Sequence, residues 1–217
     1  SSSASLALEL ATTTLTISSN VTLTQSSGVT TKSADLSVND GKLIVAGGLI
    51  FDNTDGTTAN KTRLIVTTGS AAFNSILLGT TPTIDAQLIS VTSGTITVAN
   101  LVTQAFGTIS NVTTAGTLVF NGGLSFGGVN TPLFTTLNGT VIQFGDDLTA
   151  ITTPLTFAEG STSIFTADAT ITPTAAIAFG NIQINNNADI ILAGNISLVD
   201  DLINDYGSTA ITGNFTI

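Results

Sequence analysis

The sequence predicts an all-β protein built as a β-solenoid, with a β-sandwich or jelly roll as the alternative. Three observations lead to this prediction. A nine-residue pattern returns along the chain, nearly every segment alternates apolar and polar residues with period two, and helical spacing is hard to find. Period-two alternation is typical of β-strands. Repeated strand–turn–strand units stack and bury one another's apolar faces, which is why the solenoid is preferred.

The nine-residue pattern reads apolar-x-apolar, three small residues, apolar-x-apolar, and its clearest copy is residues 43–51 (LIVAGGLIF). The other copies are residues 15–23, 118–126 and 190–198, a looser copy at 142–150, and a final copy at 211–217 that lacks the first apolar position. The last of the three small residues is Gly, Asn or Asp in every copy. These residue types enter the left-handed region at least cost. We therefore expect a positive φ and a sharp corner at that position.

Two architectures use such a corner. In a three-residue hairpin, Val45 and Leu49 pair across antiparallel strands, whereas in a solenoid the flanking strands belong to different sheets and the same side chains converge inside the coil. A two-residue hairpin on Gly47 and Gly48 is rejected, because it would split the apolar residues between both faces of the sheet.

The spacing of the units favours the solenoid. Units begin near residues 15, 43, 64, 95, 118, 142, 165, 190 and 209, which are 19 to 31 residues apart. Solenoid repeats have lengths in this range. About nine coils at ~4.8 Å each would make a rod ~43 Å long.

The predicted strands follow one another without a linker, so residues 1–217 are expected to form a single elongated β domain. The strands cover residues 12–23, 36–51, 63–66, 88–98, 117–126, 141–144, 182–184 and 189–198. Residues 1–10 alternate like a further strand, and residues 198–206 are expected to form one or two helical turns at most. All four prolines follow a threonine between apolar runs, where they would mark turns or strand edges.

Composition excludes several classes of partner and site. Only 8 % of the residues are charged, and four cations against 14 acids give a net charge of −10. Because nucleic acids and anionic membranes are bound by clustered cations, neither is predicted as a partner. No apolar run is long enough for a membrane-spanning helix. The chain contains no Cys, so it has neither a disulfide nor a thiolate metal site.

The catalytic inventory is small, and no enzyme activity is predicted. The absence of His and Cys excludes Ser/His/Asp and Cys/His catalysis. Asp146 and Asp147 are adjacent carboxylates, but they lie in a predicted turn, whereas a glycosidase needs two carboxyl groups across a cleft. A carbohydrate-acting β-helix enzyme remains an alternative to a structural role.

Two groups of acidic and amide residues are candidate calcium sites, because calcium binds carboxylate and carbonyl oxygens. The first group is Asp52, Asn53 and Asp55, followed by Gly56; the second is Asp200, Asp201, Asn204 and Asp205. The first group only partly matches an EF-hand loop, since Phe51 stands where the first Asp belongs. A calcium-dependent binding module is therefore a second alternative, and solvated loops are the simpler interpretation of both groups.

In its composition and its nine-residue pattern, the chain resembles the passenger region of bacterial autotransporters and related large surface antigens. The shared features are a Thr/Asn/Gly-rich, Cys-free composition and apolar-x-apolar steps broken by Gly-Gly or Gly-Asn. The resemblance implies a right-handed parallel β-helix displayed outside the cell, serving as an adhesin, with a host or surface glycan as partner, or as a surface coat. S-layer and extracellular filament subunits share the same composition. No functional residue transfers.

Self-association is predicted through the terminal segments. Leu6, Leu8 and Leu10 lie on one side of a potential strand, and residues 213–217 are strand-like with no polar cap after them. Either segment is suited to pair with a neighbouring subunit, by end-to-end stacking or by strand donation. Such a contact is heterologous and propagates into a filament unless it closes into a ring.

Overall fold

In the residues that it describes, the structure, a computed structural model, contains only β-strands as regular elements. It describes residues 4–25, 33–53, 61–79, 87–104, 108–111, 116–126, 133–151, 154–204, 211–212 and 215–216. Within these residues no helix occurs, which confirms the predicted all-β class. A search of the same residues for a helix long and apolar enough to cross a membrane finds none.

Twenty-six strands follow one another in the described part of the chain. They begin with β1 (Ala4–Leu8), β2 (Thr14–Ile17), β3 (Val21–Gln25), β4 (Ser33–Val38), β5 (Lys42–Asn53), β6 (Lys61–Val66), β7 (Ser70–Leu78), β8 (Gln87–Val91), β9 (Thr95–Val98) and β10 (Val102–Gln104). They continue with β11 (Thr108–Asn111), β12 (Thr117–Phe120), β13 (Leu124–Ser125), β14 (Leu133–Thr135), β15 (Val141–Phe144), β16 (Leu148–Ile151), β17 (Leu155–Thr156) and β18 (Thr162–Phe165). They end with β19 (Ala169–Pro173), β20 (Ile177–Phe179), β21 (Asn181–Ile184), β22 (Ile190–Leu192), β23 (Ile196–Leu198), β24 (Leu202–Asn204), β25 (Ile211–Thr212) and β26 (Phe215–Thr216).

These strands stack in parallel and form a solenoid with three faces, so the solenoid prediction is confirmed and the sandwich alternative is wrong. Face A consists of β1, β4, β6, β8, β11 and β14, and it continues in β17, β20, β23 and β26. Face B consists of β2, β5, β7, β9, β12, β15, β18, β21 and β24, and face C of β3, β5, β7, β10, β13, β16, β19, β22 and β25. One passage over A, B and C is a coil, and the long strands β5 and β7 each cover both B and C.

Alternate residues of each strand point into the coil and form apolar columns along the stack. On face B, Leu43, Ala71, Ile96 and Leu118 lie in register, and none is more than 1 % exposed. Because each side chain lies above its counterpart in the preceding coil, the core is continuous along the solenoid. This in-register packing keeps the apolar side of every strand inward.

Phenylalanine rings fill the core of the C-terminal half. The rings of Phe144 and Phe165 are stacked with centroids 5.3 Å apart, and those of Phe157 and Phe179 are stacked at 4.7 Å with an interplanar angle of 4°. Phe134 links this group to the preceding coils, 5.6 Å from Phe157. Aromatic pairs add stabilisation beyond the area that they bury.

The nine-residue pattern marks two different corners of the coil. Its copies at 15–23, 43–51, 118–126 and 142–150 pass from face B to face C, whereas the copy at 190–198 passes from face C to face A. Similar sequences therefore serve unlike corners, because both corners need the same inward convergence of apolar side chains. In the clearest copy, 43–51, the corner is not a turn at all. Strand β5 continues through it, with a register irregularity between Val45 and Gly48.

The expected positive φ is present in one described copy only, at Gly123 (φ 80°). The expectation was wrong at the other four described positions, which are Asn20, Gly48, Asp147 and Asn195. Asn214 lies outside the described residues. At two of the four positions the side chain satisfies a backbone group of the next coil instead. Gly48 N donates to Asn20 Oδ1 at 2.8 Å, and Thr170 N donates to Asp147 Oδ1 at 2.6 Å.

A column of glycines lines the corner between faces A and B. Gly41, Gly69, Gly94 and Gly116 each stand directly before a face B strand. The backbones approach so closely there that a Cβ on Gly94 would overlap the Gly69 carbonyl oxygen and lie 2.6 Å from Val66 Cγ1. Only glycine permits this approach.

Coils shorten along the chain while the register is kept. The Gly48–Asn20 hydrogen bond joins residues 28 positions apart, and the bond from Asp201 N to Asn181 Oδ1 joins residues 20 positions apart. The uneven spacing of the units in the sequence therefore reflects coils of different length within one continuous stack.

Ser163 interrupts the inward column between Ile142 and Ile182. Its side chain is 1 % exposed, and its Oγ has no hydrogen-bond partner among the described residues. A buried hydroxyl without a partner is destabilising. We therefore expect Ser163→Ala to raise the free energy of unfolding by about 1 kcal/mol, measured by urea denaturation. Thr162→Ala, on the outer side of the same strand, is the control and should not be stabilising; a destabilised Ser163→Ala protein would contradict the prediction.

Candidate functional site: the exposed coils at the two ends

The first described coil exposes a position that is buried in the coils that follow it. On face A, Leu6 lies in register with Leu36 and Leu64. Leu6 is 48 % exposed, whereas Leu36 and Leu64 are at most 1 % exposed. Among the described strands, β1, β2 and β3 each pair on one side only, with β4 or β5. The apolar interior of the solenoid therefore reaches the surface at this end.

A groove lies between β1 and β3 at this end. Its volume is about 370 Å³, and it is lined by Ala4, Ser5, Leu6, Thr22, Leu23, Thr24, Ala34 and Asp35. The lining is mainly apolar, and its principal hydrophobic side chain is the half-exposed Leu6. The groove is suited to another apolar side chain or strand rather than to a charged ligand.

The expected alternation of Leu6, Leu8 and Leu10 is only partly present. Leu8 is buried at 4 % exposure, because it continues the column of Val38. Leu10 lies beyond the end of β1, where its carbonyl accepts a hydrogen bond from Thr13 N at 2.9 Å, and it is 66 % exposed. The apolar surface at this end thus consists of Leu6 from the strand and Leu10 from the turn.

The last described coil has a corresponding surface, which the sequence did not reveal. Residues 202–204 form strand β24 rather than a helical turn, and β24 pairs only with β21 among the described strands. Leu202 continues the inward column of Ile182 but is 40 % exposed, and the outward Ile203 is 39 % exposed. The signal in the sequence was the short apolar-apolar step after Asp200-Asp201, which is too brief to be recognised as a strand.

Asp35, which lines the N-terminal groove, forms an ion pair with Arg63. Arg63 Nε donates to Asp35 Oδ1 at 2.7 Å, and Arg63 Nη2 lies 2.5 Å from Asp35 Oδ2. The hydrogen bonds to Asp35 raise the pKa of Arg63 above its usual value, with a smaller contribution from the charge of Asp35, while partial burial opposes the shift. Ser33 Oγ also donates to Asp35 Oδ2 at 3.0 Å. The Asp35 carboxylate is therefore bound by two side chains of face A, those of Ser33 and Arg63.

Charge is distributed unevenly between the two ends. All four cations precede residue 64, whereas eight of the 14 acidic residues follow residue 140. The N-terminal coils are therefore almost neutral and the C-terminal coils strongly acidic. Two C-terminal ends would repel each other, while a C-terminal end and an N-terminal end would not do so to the same degree.

The predicted calcium-binding residues are only partly described, and the calcium prediction stays a prediction. Asp52 lies at the end of β5, and the side chain of Asn53 and all of Asp55 fall outside the description. In the second group, Gly160 N donates to Asp200 Oδ2 at 2.6 Å, and Asp201 is exposed. Asn204 lies in β24, and Asp205 is outside the described residues. Among the described residues, no three acidic side chains converge as metal ligands do.

Asp146 and Asp147 are turn residues at the corner between faces B and C. Asp147 N donates to Asp146 Oδ1 at 2.8 Å, and Asp147 Oδ1 accepts a hydrogen bond from Thr170 N. Both carboxylates thus bind backbone amides of the corner. Asp168 Oδ1 accepts from Asp189 N at 2.9 Å in the following coil, which repeats the same structural role.

Comparison with known proteins assigns neither a family nor a function to this chain. A scan against protein-family models, a search of curated proteins and a search of solved structures each found no match for this chain.

Proposed function

We propose that the chain is a non-enzymatic structural or adhesive protein of the cell surface that self-associates through the ends of its solenoid. The observation that carries the proposal is the exposure of the apolar coil interior at Leu6 and Leu202. A solenoid whose interior is open at an end gains stability when another coil covers it. The resemblance in composition to autotransporter passengers and surface antigens supports the extracellular location.

The non-enzymatic part of the proposal is supported by the roles of the acidic side chains. The carboxylates of Asp146, Asp147, Asp168 and Asp200 accept backbone hydrogen bonds within a turn or between different coils. They stabilise corners and do not face one another across a cleft. A structural role accounts for these acids without a substrate.

In the proposed assembly, a second copy continues the stack of strands. The described strands begin on face A with β1 and end on face A with β26. A copy that adds its first described coil directly after β26 would place β1 on β24, β2 on β25 and β3 on β26. It is rotated by one face, about a third of a turn, relative to the first copy. Each copy adds somewhat more than nine strand spacings, a rise of about 45 Å.

Three measurements test this function. Electron microscopy of the purified protein should show rods or filaments with that rise, and surface proteolysis of intact source cells should cleave the protein. A protein that stays monomeric at high concentration would contradict the proposed self-association. A protein that resists the protease in intact cells would contradict the proposed surface location. Incubation with a panel of polysaccharides is the third measurement, and depolymerisation would contradict a non-enzymatic role.

Leu6→Glu is expected to weaken self-association at least about tenfold, because it places a charge where an apolar side chain would be buried. Sedimentation velocity over a range of concentrations measures the effect. Leu101→Glu is the matched control, since Leu101 is 45 % exposed on a corner in the middle of the stack. Equal association of both variants would exclude the N-terminal coil as the contact.

A further inference from the structure

The sequence contains two Asn-Gly steps, Asn121-Gly122 and Asn138-Gly139, and the structure places them in unlike surroundings. Both asparagines are exposed and lie at corners of the coil. In an Asn-Gly step, the glycine nitrogen attacks the asparagine side-chain carbonyl more readily than elsewhere, because no Cβ hinders its approach. The reaction needs no enzyme, so the local structure decides which of the two steps reacts.

The glycine amides differ in hydrogen bonding. Gly139 N donates to Gly160 O at 2.9 Å, across to the next coil. Gly122 N has no acceptor among the described residues. Because the nitrogen must lose its proton to become a nucleophile, the hydrogen bond of Gly139 opposes the reaction, whereas no described residue provides such a hydrogen bond to Gly122 N.

The asparagine side chains differ as well. The Asn138 side chain packs over Gly160, where a Cβ would lie 2.7 Å from its amide atoms. Gly160 has a positive φ of 72°, a conformation that favours glycine, and the absence of a Cβ there leaves room for the Asn138 side chain. Asn121 is an exposed turn residue, and it packs over Gly145 of the next coil with its backbone rather than its side chain, so that a Cβ on Gly145 would lie 2.8 Å from the Asn121 carbonyl oxygen.

From these two differences we propose that Asn121 is a site of spontaneous deamidation, a modification that goes beyond the proposed function. Gly122 N bonds to Asn121 Cγ, the Cγ–N bond breaks, and the side-chain nitrogen leaves as ammonia, giving a succinimide. Water then opens the ring at one of its two carbonyls. The products are aspartate, or isoaspartate with one extra methylene in the backbone.

The isoaspartate product would lie at a corner where the backbones of two coils are in close contact. Gly122 passes so close to the preceding coil that a Cβ on it would overlap the Asn100 backbone and lie 2.8 Å from Leu101 N. An inserted methylene therefore displaces the backbone at this corner. The aspartate product leaves the backbone unchanged and adds only a charge.

The test is incubation of the folded protein at mildly alkaline pH, followed by peptide mapping with mass spectrometry and isoaspartate detection. Asn121 should deamidate about tenfold faster than Asn138, since the loss of one hydrogen bond to the attacking nitrogen changes a rate by about that factor. In urea, where both corners are unfolded, the two rates should become equal. Equal rates in the folded protein, or faster reaction at Asn138, would overturn the proposal.

A pair of variants separates the products. Protein aged until Asn121 has reacted should unfold at a lower urea concentration than Asn121→Asp, which carries the charge without the extra methylene. Asn121→Ser should be resistant to ageing. If Asn121→Ser loses stability during ageing as fast as the unaltered protein, the damage arises elsewhere and the proposal fails.

Discussion

Replacing Phe157 by alanine is expected to lower the free energy of unfolding by about 3–5 kcal/mol. The Phe157 side chain is fully buried, stacks on Phe179 at 4.7 Å and contacts Phe134 and Phe144 at ring distances of 5.6 and 6.4 Å. Truncation leaves a cavity that the coils are poorly able to close, because the backbone at this position is tied to both neighbouring coils. Phe157 N donates to Ala178 O at 2.8 Å, and Ala158 N donates to Thr136 Oγ1 at 2.6 Å. Urea denaturation followed by circular dichroism measures the loss.

Phe157→Leu is the control for this prediction. It keeps most of the apolar volume and loses the ring stacking, so it should cost less than half as much as the alanine variant. A loss below about 1 kcal/mol for Phe157→Ala would show that the ring column is not a principal source of stability in the C-terminal coils.

The second large effect is expected from Gly94→Ala, with a loss of about 1–3 kcal/mol. The new methyl group would overlap the Gly69 carbonyl oxygen and press on Val66 Cγ1 in the preceding coil. That carbonyl accepts a hydrogen bond from Thr95 N at 3.1 Å, so movement away from the clash also lengthens a bond between coils. Thermal unfolding of the variant measures the cost.

Ser93→Ala provides the matched comparison, one position earlier at the same corner. It removes an exposed hydrogen bond from Ser93 Oγ to Thr67 O and introduces no overlap. Its effect should be within about 1 kcal/mol of the unaltered protein. If the two alanine variants were equally stable, the glycine column would not be required by close backbone approach.

The sequence was sufficient to predict the architecture, because a solenoid repeats one local requirement many times. Apolar residues such as Leu43, Val45, Leu49 and Phe51 must all point inward across a corner, and this constraint is visible in the pattern itself. The same pattern was not sufficient to distinguish the corner between faces B and C from that between C and A. Both corners impose the same alternation on the residues before and after them.

The corner geometry was predicted less well. A small residue such as Asn20 or Asp147 is compatible with a positive φ, but it is equally compatible with a side-chain hydrogen bond to the next coil, and the structure uses the latter. The choice depends on which backbone amide lies one coil away, some 20 to 28 residues along the chain. Single-position preferences contain no such information.

The candidate site was the least predictable feature. Leu6 and Leu202 are ordinary inward residues in the sequence, and they differ from Leu36 or Ile182 only in having no described coil above or below them. Exposure here is a property of position in the stack rather than of residue type. The predicted alternation of Leu6, Leu8 and Leu10 on one side of a strand was correct for Leu6 and Leu8 and wrong for Leu10, which lies in the turn after β1.

The shortening of the coils has a consequence for the kinetics of folding. A new coil can form only on an existing one, since its strands need the preceding edge, and the closure that it requires grows shorter from about 28 to about 20 residues along the chain. The entropy lost on closing a loop rises with its length, so closing a C-terminal coil costs less entropy than closing an N-terminal coil. The C-terminal coils, which also contain the phenylalanine stacks, are therefore expected to fold first. Coils would then be added toward the N-terminus, and the amides of the N-terminal coils would be the last to become protected from exchange.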